Sequence, residues 1–61
     1  MTPQQIIKAL ESVHSILEVI DQDPGWSAIA NDEEADPELA TDMGDALHYL
    51  SEMISKLEDS L

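Results

Sequence analysis

Two acid–histidine pairs have a spacing that could bind a metal ion. Glu11 and His14 are three residues apart, and Asp45 and His48 repeat this spacing in the second half of the chain. In di-iron helical bundles, an acid and a histidine at this spacing bind metal when both project into the bundle interior. Here the apolar periodicity places Glu11, Asp45 and His48 on the outward side of their helices. We therefore predict no metal site and no cofactor at these pairs.

A second candidate is the stretch DMGDALHYL, residues 42–50. It resembles the ExxD helix of the MazG-type nucleotide pyrophosphohydrolases, which are all-helical enzymes that hold Mg²⁺ on carboxylates. The resemblance implies that Asp42 and Asp45 are the Mg²⁺ ligands. The nearest counterpart of that family's EExxE motif is Glu33 and Glu34 with Glu38. A Mg²⁺-dependent helical enzyme is therefore one alternative for the function.

Three dipeptides mark the beginnings of the helices that carry these residues. Each proline follows a good N-cap residue, in Thr2-Pro3, Asp23-Pro24 and Asp36-Pro37, and proline is favoured at the first helical position. Thr2 and Gln5 also have the spacing of a capping box. We predict a single helical domain over 1–61, with the following parts: a helix over about 3–20, a short helix or turn over about 24–30, an acidic loop over 31–36 and a helix over about 37–59.

Apolar residues recur every seven positions in both long helices. Ile6, Val13 and Ile20 repeat in the first, and Met43 and Leu50 repeat in the second. Each apolar stripe is wider than one neighbouring helix can cover. Either the segment around Trp26 or a second hairpin must cover the surplus. We expect an all-α antiparallel helical hairpin with a short helical connector, completing a four-helix bundle as a homodimer. The predicted oligomer interface consists of Leu10, Leu17, Leu47, Leu50 and Ile54.

Composition excludes several classes of function. The 61 residues contain 14 acids and only two bases, Lys8 and Lys56, for a net charge of −12. Such a chain is repelled by nucleic-acid phosphates and by anionic membranes, so we expect it to bind neither directly. The absence of cysteine excludes disulfides and thiolate chemistry. The first residues carry no basic segment followed by an apolar run, so we expect no signal peptide, no membrane span and a cytoplasmic location.

The acids are concentrated in the middle of the chain and suggest a binding surface. Capping and the helix dipole account for only some of them. The predicted partner-binding residues are Asp32, Glu33, Glu34, Asp36, Glu38, Asp42 and Asp45. The expected partner is a basic protein surface, such as that of a nucleic-acid-binding protein or complex.

In size and composition the chain resembles small acidic phage-encoded inhibitors, including anti-CRISPR proteins and DNA mimics. This resemblance implies action in the host cytoplasm. We therefore favour a non-enzymatic interaction protein. The alternative from a different class is a structural homo-oligomerisation module that acts through the apolar stripes.

Overall fold

A computed structural model describes all residues, 1–61, as three helices without any strand. Helix α1 spans Pro3–Asp21, α2 spans Pro24–Ala30 and α3 spans Leu39–Ser60. Helix α1 packs against α3, and α2 contacts the end of α1 that precedes it. The structure thus confirms the predicted all-helical fold, in which α1 packs against α3. None of the three helices combines the length and hydropathy that crossing a bilayer requires.

The first two helices begin where the cap residues predict. The Thr2 hydroxyl oxygen accepts the Gln5 backbone N–H at 3.1 Å, and the Gln5 Oε1 accepts the Thr2 N–H at 2.8 Å. This reciprocal pair is a complete capping box. At the start of α2, Asp23 Oδ1 accepts the Gly25 N–H at 2.8 Å. Both caps satisfy backbone donors that a helix leaves without an internal partner.

Helix α3 begins later than predicted. The expected start at Pro37 with Asp36 as N-cap is wrong, because Pro37 and Glu38 form a turn and the helix begins at Leu39. Asp36 Oδ1 accepts the Glu38 N–H at 2.9 Å, and the Asp36 carbonyl accepts the Leu39 N–H at 3.1 Å. These two bonds close a turn around Pro37 before α-helical bonding starts.

The two long helices run in opposite directions. On α1 the row that faces α3 contains Ile7, the only buried residue, with the half-buried Leu10, His14 and Leu17. Glu11 and Ser15 lie beside this row and line a groove shared with Ser51 and Ser55 of α3. On both helices these flanking residues are displaced from the inward row in the same rotational sense. Two right-handed helices that face each other bring such flanks to the same side only when they are antiparallel. The row on α3 that faces α1 consists of Met43, Leu47, Leu50, Ile54 and Leu57.

The connector does not cover the wide apolar stripe of α1. Trp26 is half-buried, but Ile29 on the same short helix is exposed. Apart from the adjacent residues and the backbone of α3 itself, no atom lies within 4 Å of the Cβ that a larger residue would have at Gly44, so neither Trp26 nor Ile29 packs onto α3 there. The Trp26 segment therefore leaves much of the α1 stripe uncovered, since Ile6, Val13 and Ile16 remain exposed. The molecule measures 45 × 16 × 15 Å, which is a long and thin hairpin.

Candidate functional site

The seven acids of the predicted binding surface lie at the connector end of the hairpin. Asp32, Glu33, Glu34 and Asp36 are in the segment between α2 and α3, and Glu38 immediately precedes α3. The remaining two acids are in the first two turns of α3. All seven are exposed to solvent. The connector thus brings this predicted set to one end of the molecule. The complete set, called the acidic end from here on, is Asp32, Glu33, Glu34, Asp36, Glu38, Asp42 and Asp45.

No basic side chain neutralises the acidic end. Residues 21–45 contain nine acids and no Lys or Arg, because Lys8 and Lys56 are elsewhere in the chain. The structure has only two contacts within ion-pair distance, and both join a histidine to a glutamate outside this segment. No basic side chain therefore offsets the carboxylate charges, and their mutual repulsion is screened only by solvent and salt. A cationic partner would remove that repulsion.

Two of these acids also accept hydrogen bonds from backbone N–H groups of the segment between α2 and α3. Asp32 Oδ1 accepts the Glu34 N–H at 2.8 Å, and Asp36 Oδ1 accepts the Glu38 N–H at 2.9 Å. Asp23 makes the same type of bond to Gly25 at the start of α2. These are turn-forming bonds, in which the side chain caps a backbone donor two residues later. Sequence reasoning assigned Asp32 no structural role, but the structure shows one.

Glu33 and Glu34, by contrast, make no side-chain hydrogen bond and no ion pair. Asp45 on α3 is in the same situation. These side chains contribute charge without contributing to the local fold, so they are free to meet a partner. They are also the residues at which charge can be changed with the least effect on structure.

The two histidines do not pair with the acids that the metal-site spacing suggested. His14 Nδ1 lies 2.9 Å from Glu18 Oε1, and His48 Nε2 lies 3.1 Å from Glu52 Oε1. In each case the partner is four residues later, on the next helical turn. No three acidic or histidine side chains are grouped as metal ligands would be. Glu33 and Glu34, which the MazG-type resemblance would need on a helix, are in turns.

The residues predicted for oligomerisation lie largely inside the hairpin. All are half-buried, and they form the contact between α1 and α3 within one chain. Their use between chains stays a prediction. These residues are Leu10, Leu17, Leu47, Leu50 and Ile54.

A different apolar surface is left exposed. On α1 the side chains of Ile6, Val13 and Ile20 are between 39 and 44 % exposed. They lie on the side of the inward row opposite to Glu11 and Ser15, by the 100° step between successive helical residues. On α3, Tyr49 and Met53 lie on the side of the inward row opposite to Ser51 and Ser55, and both are exposed.

These two sets belong to one surface. Because the serine flanks of the two helices share one groove, the apolar flanks must share the other side of the hairpin. The sequence placed Ile6, Val13 and Ile20 in a stripe too wide for one neighbouring helix to cover, but it did not indicate which part of that stripe would remain exposed. The lateral apolar face, as it is called from here on, consists of Ile6, Val13, Ile20, Tyr49 and Met53.

The side opposite the lateral apolar face is polar. A groove of about 290 Å³ runs between α1 and α3 there. Small hydroxyl side chains dominate its lining, and His14 reaches it from the inward row of α1. The two sides of the hairpin therefore differ in character, since one is apolar and the other is polar and shallow. The groove is lined by Glu11, His14, Ser15, Ser51, Ile54 and Ser55.

Comparisons with protein-family models, with curated protein sequences and with solved structures give no match to this chain.

Proposed function

We propose that this protein is a non-enzymatic interaction protein that binds a basic protein surface through its acidic end. The single observation that carries the proposal is the set of seven exposed carboxylates with no base among them. The closest functional type is an inhibitor that occupies a nucleic-acid-binding site, as small phage-encoded anti-CRISPR proteins and DNA mimics do. In that role the carboxylates stand in for phosphates.

Charge and shape both support this type of binding. Clustered like charges create a field that attracts an oppositely charged partner and accelerates the encounter. The hairpin is about 16 Å thick in its two short dimensions and 45 Å long. A thin rod with a charged end can enter a groove that normally admits a nucleic-acid strand. A basic groove that attracts phosphates also attracts carboxylates, because both groups are anionic.

The finer architecture that we propose is a homodimer in which two hairpins form a four-helix bundle. A 61-residue chain with a single buried residue has a small core, and association is one way to enlarge it. The lateral apolar face also favours a second candidate function, a structural homo-oligomerisation module. In that case the acidic end contributes solubility rather than recognition.

A pull-down from a lysate of the source cell, carried out at low and at high salt, separates these two functions. We expect an acid-dependent partner to be retained at low ionic strength and lost at high ionic strength, because the Debye length falls from about 30 Å at 0.01 M to about 3 Å at 1 M. A partner that stays bound at high salt favours recognition through apolar surface. The immobilised chain is the bait in both arms.

The decisive variant reverses three charges that have no structural bond, Glu33→Lys, Glu34→Lys and Asp45→Lys together. The matched control is Glu11→Lys, Glu58→Lys and Asp59→Lys, which makes the same change of net charge away from the acidic end. We expect the first variant to lose the partner and the control to keep it, with equal helicity by circular dichroism. Equal retention by both variants overturns the proposal.

A further inference from the structure

We infer that the lateral apolar face binds a second copy of this chain, with α1 packed antiparallel against α1 of the partner copy and the two acidic ends at opposite poles. This inference rests on the homodimer proposed above, and it specifies the face and the orientation. Four observations carry it: the exposed area, the symmetry of the α1 stripe, the distribution of apolar residues between the helices and the distribution of charge.

The exposed area matches what one interface would cover. The chain has a mass of 6.7 kDa and exposes 4635 Å² of surface. The scaling of surface with mass for folded monomers gives about 3,900 Å² for a chain of this size. The excess is roughly 700 Å², and a standard interface buries about 800 Å² on each partner. One contact of ordinary size would therefore bring the chain to the usual exposure of a folded protein.

The α1 stripe is self-complementary. Ile6 and Ile20 are each seven residues from Val13, so a two-fold axis at Val13 pairs Ile6 with Ile20 of the partner copy. Val13 then meets its own counterpart on the axis. An interface between identical copies requires such a surface, in which each contact is repeated by symmetry. A partner of different sequence has no need of this symmetry, which is why we assign the face to a second copy.

Two arrangements with a two-fold axis can bring these faces together. In one, α1 lies against α1 of the partner copy, and the acidic ends are at opposite poles. In the other, α1 lies against α3 of the partner copy, and both acidic ends are at the same pole. Three of the five residues of the lateral apolar face are on α1. The first arrangement therefore joins the richer apolar strips to each other.

Charge favours the same arrangement. Each copy carries nine acids and no base in residues 21–45. Placing both connectors at one pole would put these like charges side by side. Helix α1 has 19 residues and so spans about 28 Å, which exceeds the Debye length of about 8 Å at physiological ionic strength. With the acidic ends at opposite poles, the solvent screens their mutual repulsion.

A pair of matched valine variants tests the face. Val13 is on the lateral apolar face and is 44 % exposed, whereas Val19 on the same helix is 71 % exposed and lies about 120° further round. Val13→Lys and Val19→Lys change the charge equally. We expect the wild type and Val19→Lys to sediment at twice the 6.7 kDa chain mass, and Val13→Lys to sediment as a monomer. A monomeric wild type, or a dimeric Val13→Lys, overturns the inference.

The wild type supplies a readout that does not depend on the variant folding. If association stabilises the chain, its thermal midpoint rises with protein concentration, by mass action. We expect this rise in the wild type and in Val19→Lys. A midpoint that is independent of concentration overturns the inference even where Val13→Lys is unfolded.

Single cysteines test the orientation, since the natural chain has none to interfere. Facing Cα atoms of two helices with axes 8–10 Å apart are about 4–5 Å from each other, within disulfide range. We expect Val13→Cys to form a disulfide-linked dimer on mild oxidation and Val19→Cys to form none. Cross-linking of Val13→Cys to Met53→Cys chains, without any Val13→Cys homodimer, indicates the other arrangement and overturns the orientation.

The dimer and the binding function fail separately. The triple reversal Glu33→Lys, Glu34→Lys and Asp45→Lys tests partner binding. We expect this variant to sediment with the same mass as the wild type. Loss of the partner in that variant together with a monomeric wild type would support the acidic-end function and overturn the dimer. A dimeric wild type, together with a triple-reversal variant that still binds the partner, would support the dimer and overturn the acidic-end function.

Discussion

The Asp36 side chain accepts a hydrogen bond from the Glu38 backbone N–H, with Oδ1 and N 2.9 Å apart. Pro37 lies between these residues, and the bond closes the turn from which α3 emerges. The residue predicted as a helix cap therefore orients the loop that precedes the helix. The same aspartate is a member of the acidic end, so its charge and its structural bond must be tested separately.

Replacing Asp36 with alanine should destabilise the fold. The change removes one hydrogen bond from a backbone donor, and a net loss of about 0.5–1.5 kcal/mol in unfolding free energy is expected. Glu34→Ala, which removes an equal charge without a hydrogen bond made by its side chain, is the control and should change stability little. Urea denaturation followed by circular dichroism measures both. Equal effects of the two variants would contradict the role given to the turn.

Replacing Gly44 with alanine should stabilise the protein. Gly44 is inside α3, and no atom outside the adjacent residues and the α3 backbone lies within 4 Å of the position that an added Cβ would take. Alanine is favoured over glycine in a helix by about 1 kcal/mol. Gly25→Ala is the contrasting variant, because its Cβ would lie 3.2 Å from the Asp23 carboxylate that caps α2. We expect a higher thermal midpoint for the first variant and no gain for the second; a lower midpoint for Gly44→Ala would show that its surface is not open.

Shortening Ile7 tests the small core. Ile7 is only 8 % exposed and is the one buried residue of the chain. Ile7→Val removes one buried methylene and should cost about 0.5–1.5 kcal/mol of unfolding free energy. Ile29→Val makes the same chemical change on α2, where the side chain is largely exposed, and should cost little. Chemical denaturation of both variants at one protein concentration checks this difference.

Added salt should raise the thermal stability. The chain has a net charge of −12 with two basic side chains, and self-repulsion of this kind opposes the compact state. Raising ionic strength from about 0.01 M to about 1 M shortens the Debye length from about 30 Å to about 3 Å. We expect the midpoint measured by differential scanning calorimetry to increase over this range. In the variant with Glu33, Glu34 and Asp45 reversed, the increase should be smaller.

Magnesium should have no specific effect. Asp42 and Asp45 would be ligands if the likeness to MazG-type enzymes held, but no third acidic or histidine side chain is grouped with them. Mg²⁺ prefers an octahedral set of oxygen ligands. We expect the thermal midpoint in MgCl₂ to match that in NaCl of equal ionic strength. A larger increase of the thermal midpoint in MgCl₂ than in NaCl would contradict this prediction if the double variant Asp42→Asn, Asp45→Asn abolished it. That result would favour the Mg²⁺-dependent enzyme.

Local features of the chain were predictable from the sequence because their causes are local. The capping box between Thr2 and Gln5 depends on residues three positions apart, and so does not need the rest of the fold. The predicted range of 24–30 for the short helix corresponds to Pro24–Ala30 in the structure. At Asp36 the same reasoning failed, because a side chain that can cap a helix can equally close a turn, and the sequence motif is the same for both.

The helices, their apolar rows and the concentration of acid between them could be predicted from the amino-acid sequence, since each follows from periodicity and charge along the chain. Which apolar residues face inward could not be predicted in this way, because it depends on the packing of α1 against α3. The Ile7 row of α1 packs against α3, which leaves the Val13 row exposed. Both rows are apolar, so the apolar periodicity of α1 does not specify which row packs against α3. The choice depends on how two particular helices pack, and that is a property of the pair rather than of either sequence.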